Sequence, residues 1–486
     1  MTTPGGSVNM GIVADVQSFD PPIPGDNMSI WTMLNIYDQL LRVSASGQEV
    51  EPCLAESYEL SEDLLTYTFK LRPGVVFHDG TPLTAADVKY CIDRVSFAEE
   101  SGWLSLFTAV AETAAPDDAT FVLTAKQPWA PMIANMALFA ASIYPRAAHE
   151  AQGAELFEQP IGTGPFVLES WQKGASIVLK KNPDYWLEGQ PYLDEVVFSI
   201  VPDANTRIVQ LQSGDMDIAS DVPFSQIDAL EADDSLQVLV APVGRVDYVA
   251  INHQREPFGD AKVRQALNLA VDKAAIVQAV LYGRAEVAQS ALPRMRFWND
   301  ETAPYPYDPE RARQLLAESE AGGGFSTTLG VTAGDAEHTA VATIMKDQLA
   351  QVGIEVEIYE GESAALYVDT FQGLDYDLVI QYHTTDTIDA SQITRYAMAS
   401  RDDGTGALWT GYVNERIDEL AAQSLTEQDP AKREEMYFEI QKLGFDDAFI
   451  LYLYFPDSRT GLRADINGFE ILPTANYRMW EVWRSA

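Results

Sequence analysis

Cysteine is nearly missing from this sequence: Cys53 and Cys91 are the only two in 486 residues. Two thiols cannot build a cysteine-rich zinc site. Histidine is almost as sparse. His78, His149, His253, His338 and His383 are scattered along the chain, and no His-Glu-x-x-His run occurs. A protein-built metal site is therefore not expected, and no motif calls for a cofactor. No Gly-x-Ser-x-Gly elbow is present either. The run Gly322-Gly323-Gly324 has no lysine after it, so it reads as a turn rather than a phosphate loop.

Long hydrophobic runs are also lacking. The longest apolar stretches, such as Phe449 to Phe455, are strand-sized. None approaches the ~20 residues of a membrane helix. Met1-Thr2-Thr3-Pro4-Gly5-Gly6 has neither the basic start nor the apolar core of a signal peptide. The expectation is a cytosolic chain, or a mature exported form whose signal is absent from this sequence.

Basic residues are few: 32 Lys and Arg stand against 73 Asp and Glu, a net charge of −41. Phosphate backbones and anionic lipid surfaces need clustered cations, so nucleic acid is excluded as a partner. A solvated acidic surface accounts for the charge. Adaptation to salt, which screens the self-repulsion, is the other reading. Acidic pairs such as Asp402-Asp403 and Asp446-Asp447 follow from the composition and read as solvated faces. Nothing here argues for catalysis, and the chain is expected not to be an enzyme.

What is present is punctuation. The chain is 47% hydrophobic and too long for one typical domain, so two or three lobes are expected. Tyr67, Phe69 and Leu71 alternate with polar residues as a half-buried strand. Thr84 opens a helix with Asp87 as its reciprocal cap. Val88, Cys91, Ile92 and Val95 form that helix's apolar face, which makes Cys91 a buried thiol. From Asp260, the stripe Val263, Leu267, Ala270, Ala274, Val277, Leu281 predicts one helix ended by Gly283. Asp308-Pro309 and Asp429-Pro430 are two further helix starts.

The stretch from Thr328 to His383 is the most telling. Thr328 to Thr332 predicts a strand, His338 to Gln351 a helix ended by Gly353, and Ile354 to Tyr359 and Asp377 to Gln381 two more strands. That is a βαβ unit, hence an α/β fold with a parallel sheet. Ligands of such sheets lie beyond the carboxyl ends of the strands. Tyr382, His383, Thr385 and Asp386 follow the last strand, so geometry nominates them as site residues.

Several segments resemble the peptide/nickel family of ABC-transporter solute-binding proteins. One runs from Leu54-Ala55-Glu56-Ser57-Tyr58 through Thr66 to Val75, then Phe77-His78-Asp79-Gly80-Thr81-Pro82-Leu83-Thr84-Ala85-Ala86-Asp87-Val88. Others are Ile161-Gly162-Thr163-Gly164-Pro165-Phe166, Asn182-Pro183-Asp184-Tyr185-Trp186, Ile251-Asn252 to Asn268, and Tyr307-Asp308-Pro309-Glu310-Arg311-Ala312. They occur in family order over nearly the whole chain. Physically they are scaffold: Asp79-Gly80 is a tight turn, and Gly162 and Gly164 flank a strand passing close to other backbone.

The resemblance implies a periplasmic-binding-protein-like, three-lobed α/β fold of the cluster C type. Lobe I would combine 1–43, 165–245 and 460–486; lobe II would be 44–164 and lobe III 246–459. Strands near Tyr248–Asn252 and Ile450–Tyr454 would connect lobes I and III, with the ligand in the cleft between them and hinge closure on binding. It further implies a monomeric receptor, periplasmic or extracellular and membrane-anchored, that hands a peptide or peptide-sized polar metabolite to ABC permease subunits. An oligosaccharide, opine or metal chelate is the alternative ligand, and an enzyme on this scaffold the remote one. For an exported chain, a Cys53–Cys91 disulfide is possible.

In peptide-binding members of the family, an acid in the loop after a lobe III strand pairs with the ligand's amino terminus. Asp386 and Asp389 stand there, with Ala390 where the family usually has proline. Trp31, Trp409 and Tyr412 stand where aromatic side chains would wall the pocket. His383 is a candidate hydrogen-bonding partner, and Arg395 and Arg401 are candidates for a ligand carboxylate.

Overall fold

A computed structural model describes residues 5–362, 366, 373–400 and 406–485. The chain divides into two compact units. Unit 1 comprises Met1–Ala241, Asp386–Ile388 and Ser458–Ala486; unit 2 comprises Pro242–Thr385 and Asp389–Asp457.

In unit 1, Ser7–Ile12 pairs parallel with Glu195–Ile200 on one side and with Ile218–Ser220 on the other. Ser176–Lys181 and Phe166–Gln172 extend this sheet antiparallel, and residues 460–462 pair antiparallel with Ile218–Ser220. A separate antiparallel sheet orders Ala55–Leu60, Thr66–Leu71, Thr120–Ala125 and Val110–Asp117. Tyr67, Phe69 and Leu71 are its buried face, as their alternation predicts. Helix Ala85–Phe97 buries Val88, Cys91, Ile92 and Val95, and the Thr84 N–H donates to Asp87 at 3.0 Å as one arm of the capping box. Gly162 and Gly164 permit a close approach: a Cβ on Gly162 would stand 2.1 Å from the Ile36 carbonyl oxygen. Only glycine fits there.

Cys53 and Cys91 are both free and buried, so the disulfide does not form. Each thiol has a separate setting. Cys53 lies 3.6 Å from Asp38, and the Cys91 thiol donates to the Tyr144 carbonyl at 3.4 Å.

In unit 2 the predicted βαβ unit is present. Phe325–Thr332 pairs parallel with Ile354–Gly361 and with Leu378–Thr384. Helix Ala336–Ala350 connects the first two strands, capped by Asp335. Arg245–Ile251 then pairs antiparallel with Leu378–Thr384 and with residues 450–454. Phe449 to Phe455 are all buried, which explains their uninterrupted apolar character.

Two expectations change. The helix predicted from Asp260 to Gly283 is two helices, Ala261–Ala270 and Lys273–Val280. Val271 is extended, and the Asp272 carboxylate accepts from the Ala275 N–H at 2.9 Å, so an internal aspartate caps a new helix. The strand predicted to end at Gln381 runs on to Thr384, so Tyr382 and His383 are strand residues.

Candidate functional site

Leu378–Thr384 is held in register by Arg245–Ile251, with His383 opposite Val246. Alternation then separates neighbours. Tyr382 points outward, 45% exposed, and the Arg245 guanidinium covers its ring at 4.0 Å. His383 points inward. Its Nε2 donates to the Ala291 carbonyl at 2.8 Å, which leaves Nδ1 as a bare, buried acceptor. Burial lowers its pKa to about 4, so the ring is neutral between Tyr248 and Tyr396. The Thr385 N–H donates to Gly244, and its hydroxyl donates to Gln392 at 3.1 Å.

Beyond Thr385 the chain enters unit 1 for three residues, Asp386 to Ile388, and returns to unit 2 at Asp389. Asp389 caps helix Ala390–Ala397 by accepting from the Ser391 N–H. Its two carboxylate oxygens each accept a 2.8 Å hydrogen bond from buried Arg433. Burial would raise the Asp389 pKa, but the Arg433 charge and these hydrogen bonds outweigh it and the pKa is lowered. Asp389 is thus a paired structural carboxylate.

Arg395 lies on the same helix, half-buried. Trp409 ends a short turn, Ala407–Trp409, in which all three residues have positive φ. Its ring meets Tyr396 edge-on at 4.9 Å, and its carbonyl accepts from the Tyr376 hydroxyl at 2.7 Å. Tyr412 is buried, stacks on Phe449 at 5.2 Å and donates to Asp447. It belongs to the core of unit 2. Arg401 and the Asp402-Asp403 pair lie outside the described residues.

Unit 1 holds a cavity of about 50 Å³. Trp31 and Asp386, both nominated from the sequence, line it. Trp31 meets Tyr477 edge-on at 6.0 Å. The wall also includes five polar residues that sequence reasoning did not nominate: Arg42, and Thr474, Asn476, Tyr477 and Trp480 from the C-terminal segment. Each of these five carries a buried polar atom without a hydrogen-bond partner among the described residues, namely Arg42 Nη1, Thr474 Oγ1, Asn476 Oδ1, Tyr477 Oη and Trp480 Nε1. The signal available in the sequence was the run Asn476-Tyr477-Arg478-Met479-Trp480, aromatic and cationic together.

Charge around this cavity is ordered. Arg42 Nε donates to Glu51 at 2.7 Å on the hairpin of Leu41–Val43 and Val50–Pro52. Burial disfavours its charge, but Cys53 and Glu51 more than offset that and raise its pKa. Asp38 is buried beside it, accepting from Trp186 at 2.9 Å and Thr163 at 3.0 Å. Burial raises its pKa against those hydrogen bonds. Among the described residues there is no cluster of three or more His, Cys, Asp or Glu able to hold a metal, and no helix long and apolar enough to cross a membrane.

These features define a ligand-binding protein with a polar, aromatic-walled recess. Bacterial extracellular solute-binding proteins, family 5 (middle region), match residues 49–405, and the chain belongs to this family. The glutathione-binding protein GsiB of Escherichia coli O1:K1 is 31% identical over 476 residues, spanning 97% of this chain and 93% of that one. GsiB of Pectobacterium atrosepticum is 32% identical over 463 residues, 94% of this chain and 90% of the relative. Among solved structures, the ABC transporter-associated periplasmic binding protein DppA of Helicobacter pylori, in complex with the peptide STSA, superposes with a TM-score of 0.90. It is 26% identical and covers 99% of this chain and 98% of its own. AgaA of A. tumefaciens R10 with agropinic acid gives a TM-score of 0.86 at 26% identity, covering 99% of each chain.

Proposed function

We propose that this protein is the receptor of an ABC importer, capturing a peptide or peptide-sized polar metabolite outside the cytoplasmic membrane and releasing it to permease subunits without turnover. The observation that carries this reading is the unit 1 cavity, where Trp31, Tyr477, Arg42 and Asp386 line one recess. An ammonium group leaving water needs a paired carboxylate, and Asp386 is the acid we assign to it. Trp31 and Tyr477 supply apolar faces at low entropic cost. The names of the GsiB relatives and the peptide bound to DppA support a peptide-like ligand.

Closure would turn about the chain passages at 241/242 and 457/458, where the two units exchange chain. The receptor would act as a monomer, free or lipid-anchored. A second reading, an opine or another amino-acid conjugate, is favoured by the likeness to AgaA with agropinic acid. Mass spectrometry of small molecules carried through native purification, followed by calorimetric titration of each, tests both. A captured peptide or peptide-like amine supports the first reading. A ligand without nitrogen, such as a plain oligosaccharide, would overturn it.

A further inference from the structure

Burial does not absorb the negative charge of this chain. Among the described residues the buried acids are Asp20, Asp38, Asp247 and Asp389, and the buried cations are Lys273, Arg207, Arg264, Arg433 and Arg478. The core thus takes up no more acids than cations, although the sequence holds 73 acids against 32 cations. Some of those buried cations are also turned to the backbone. Arg207 donates to the carbonyls of Val201, Pro202, Ser220 and Asp221, Arg264 to those of Phe258, Gly259 and Asp447, and Lys273 to that of Asn268. Outside the core, one cation serves two acids. Arg416 pairs with Glu419 and Glu439, Arg294 with Glu286 and Asp457, and Arg484 with Asp217 and Asp465. Each such set keeps a net negative charge. Elsewhere acid adjoins acid. Glu355 and Glu357 are both exposed on Ile354–Gly361, the strand that ends the large sheet. Alternation puts them on one face, roughly 7 Å apart. Glu435 and Glu439 are exposed one turn apart on helix Pro430–Asp446, a spacing at which like charges repel.

We infer that this fold is built for a saline medium: mobile cations supply the counter-charge that the chain lacks, and stability falls as they are withdrawn. This goes beyond the receptor reading and stands whatever the ligand is. Range and sign both favour it. Salt shortens the reach of a charge from about 10 Å at 0.1 M to about 3 Å at 1 M. Acids spaced like Glu355 and Glu357 therefore repel at the lower concentration and are screened at the higher. The same salt weakens the exposed ion pairs, but those contribute little to stability. Buried pairs such as Asp389 with Arg433 are screened much less. With acids in more than twofold excess, relief of self-repulsion outweighs the loss of attraction.

Thermal denaturation of the full chain in KCl tests this. From about 0.02 M to about 1 M, across which the reach of a charge falls from ~20 Å to ~3 Å, the midpoint is expected to rise by about 10 °C or more. Sucrose at matched osmolality is excluded from the protein surface without screening charge, and is expected to give less than half that rise. A midpoint that stays flat across the salt series, or a rise that sucrose reproduces, overturns the inference. The chain carrying Glu355→Lys, Glu357→Lys, Glu434→Lys and Glu435→Lys together is expected to melt above the wild type in dilute salt and to gain less from added KCl, because fixed cations then replace mobile ones. Glutamine at the same positions is the second variant, since it keeps side-chain length and removes only the charge. It is expected to show the same change at about half the size. A salt dependence as steep as that of the wild type in both variants overturns the inference, because the surface acids would then not be its source.

Discussion

Asp389 and Arg433 form a two-bonded ion pair, both contacts 2.8 Å, with each side chain only 6% exposed. A buried carboxylate of this kind is costly to leave without its partner. Arg433→Met should destabilise the protein by about 3–5 kcal/mol in chemical denaturation. Asp389→Asn should do so by a smaller amount, since it retains the cap. The folded Asp389 pKa lies below its ordinary 3.8. Its contribution is therefore present above that value and lost as pH falls through the folded one. A denaturation midpoint unmoved by Arg433→Met would sink the structural role.

A second buried network carries a charged histidine. His338 lies 3.0 Å from Asp247 through Nε2 and 3.0 Å from Asp335 through Nδ1, and Arg245 holds Asp247 from the other side at 2.7 Å. Burial opposes the imidazolium, but the two carboxylates prevail and raise its pKa from 6.5 to about 10. A raised folded pKa means stability fully present below about 6.5 and lost as pH rises through about 10. His338→Gln should lower stability at pH 6 by on the order of 3 kcal/mol, and the gap to the wild type should close by pH 10. Thermal melts across that range measure it. A gap that persists above pH 10 would mean the ring is neutral in the native state.

Asp386 differs from Asp389 in having a cavity beside it. If the ligand carries a free amine, Asp386→Asn should weaken it by about a hundredfold or more, the scale of removing one partner from a desolvated pair. The unliganded melting midpoint of the variant reports whether the fold is intact. Equal affinities by calorimetry would remove Asp386 from the ammonium role.

Ligand-induced closure should make the molecule more compact. Small-angle scattering at saturation with the captured ligand should give a smaller radius of gyration than the empty protein. Identical profiles would count against closure about the passages at 241/242 and 457/458.

The sequence by itself determined the local elements. Thr84 with Asp87, Asp308 before Pro309 and Asp429 before Pro430 all cap helices as their patterns predict, because caps act over two or three residues. The βαβ unit was legible from periodicity, and its register put the segment from Tyr382 to Asp386 at the strand's carboxyl end. The break at Val271 was a misreading of the same kind of signal: an apolar stripe continues through a residue that Asp272 turns into a cap. Only the tertiary structure decided that Asp389 is a paired structural carboxylate, because Arg433 is 44 residues from it. Tyr412 was an aromatic of the right type, and only the fold shows that it stacks on Phe449 and donates to Asp447. The unit 1 cavity was invisible for the same reason. Arg478 donates to the Val43 carbonyl across 435 residues of chain, which draws the C-terminal segment onto the hairpin of Arg42. Periodicity and capping report neighbours along the chain, whereas which polar atoms remain unpaired depends on every distant segment that packs around them.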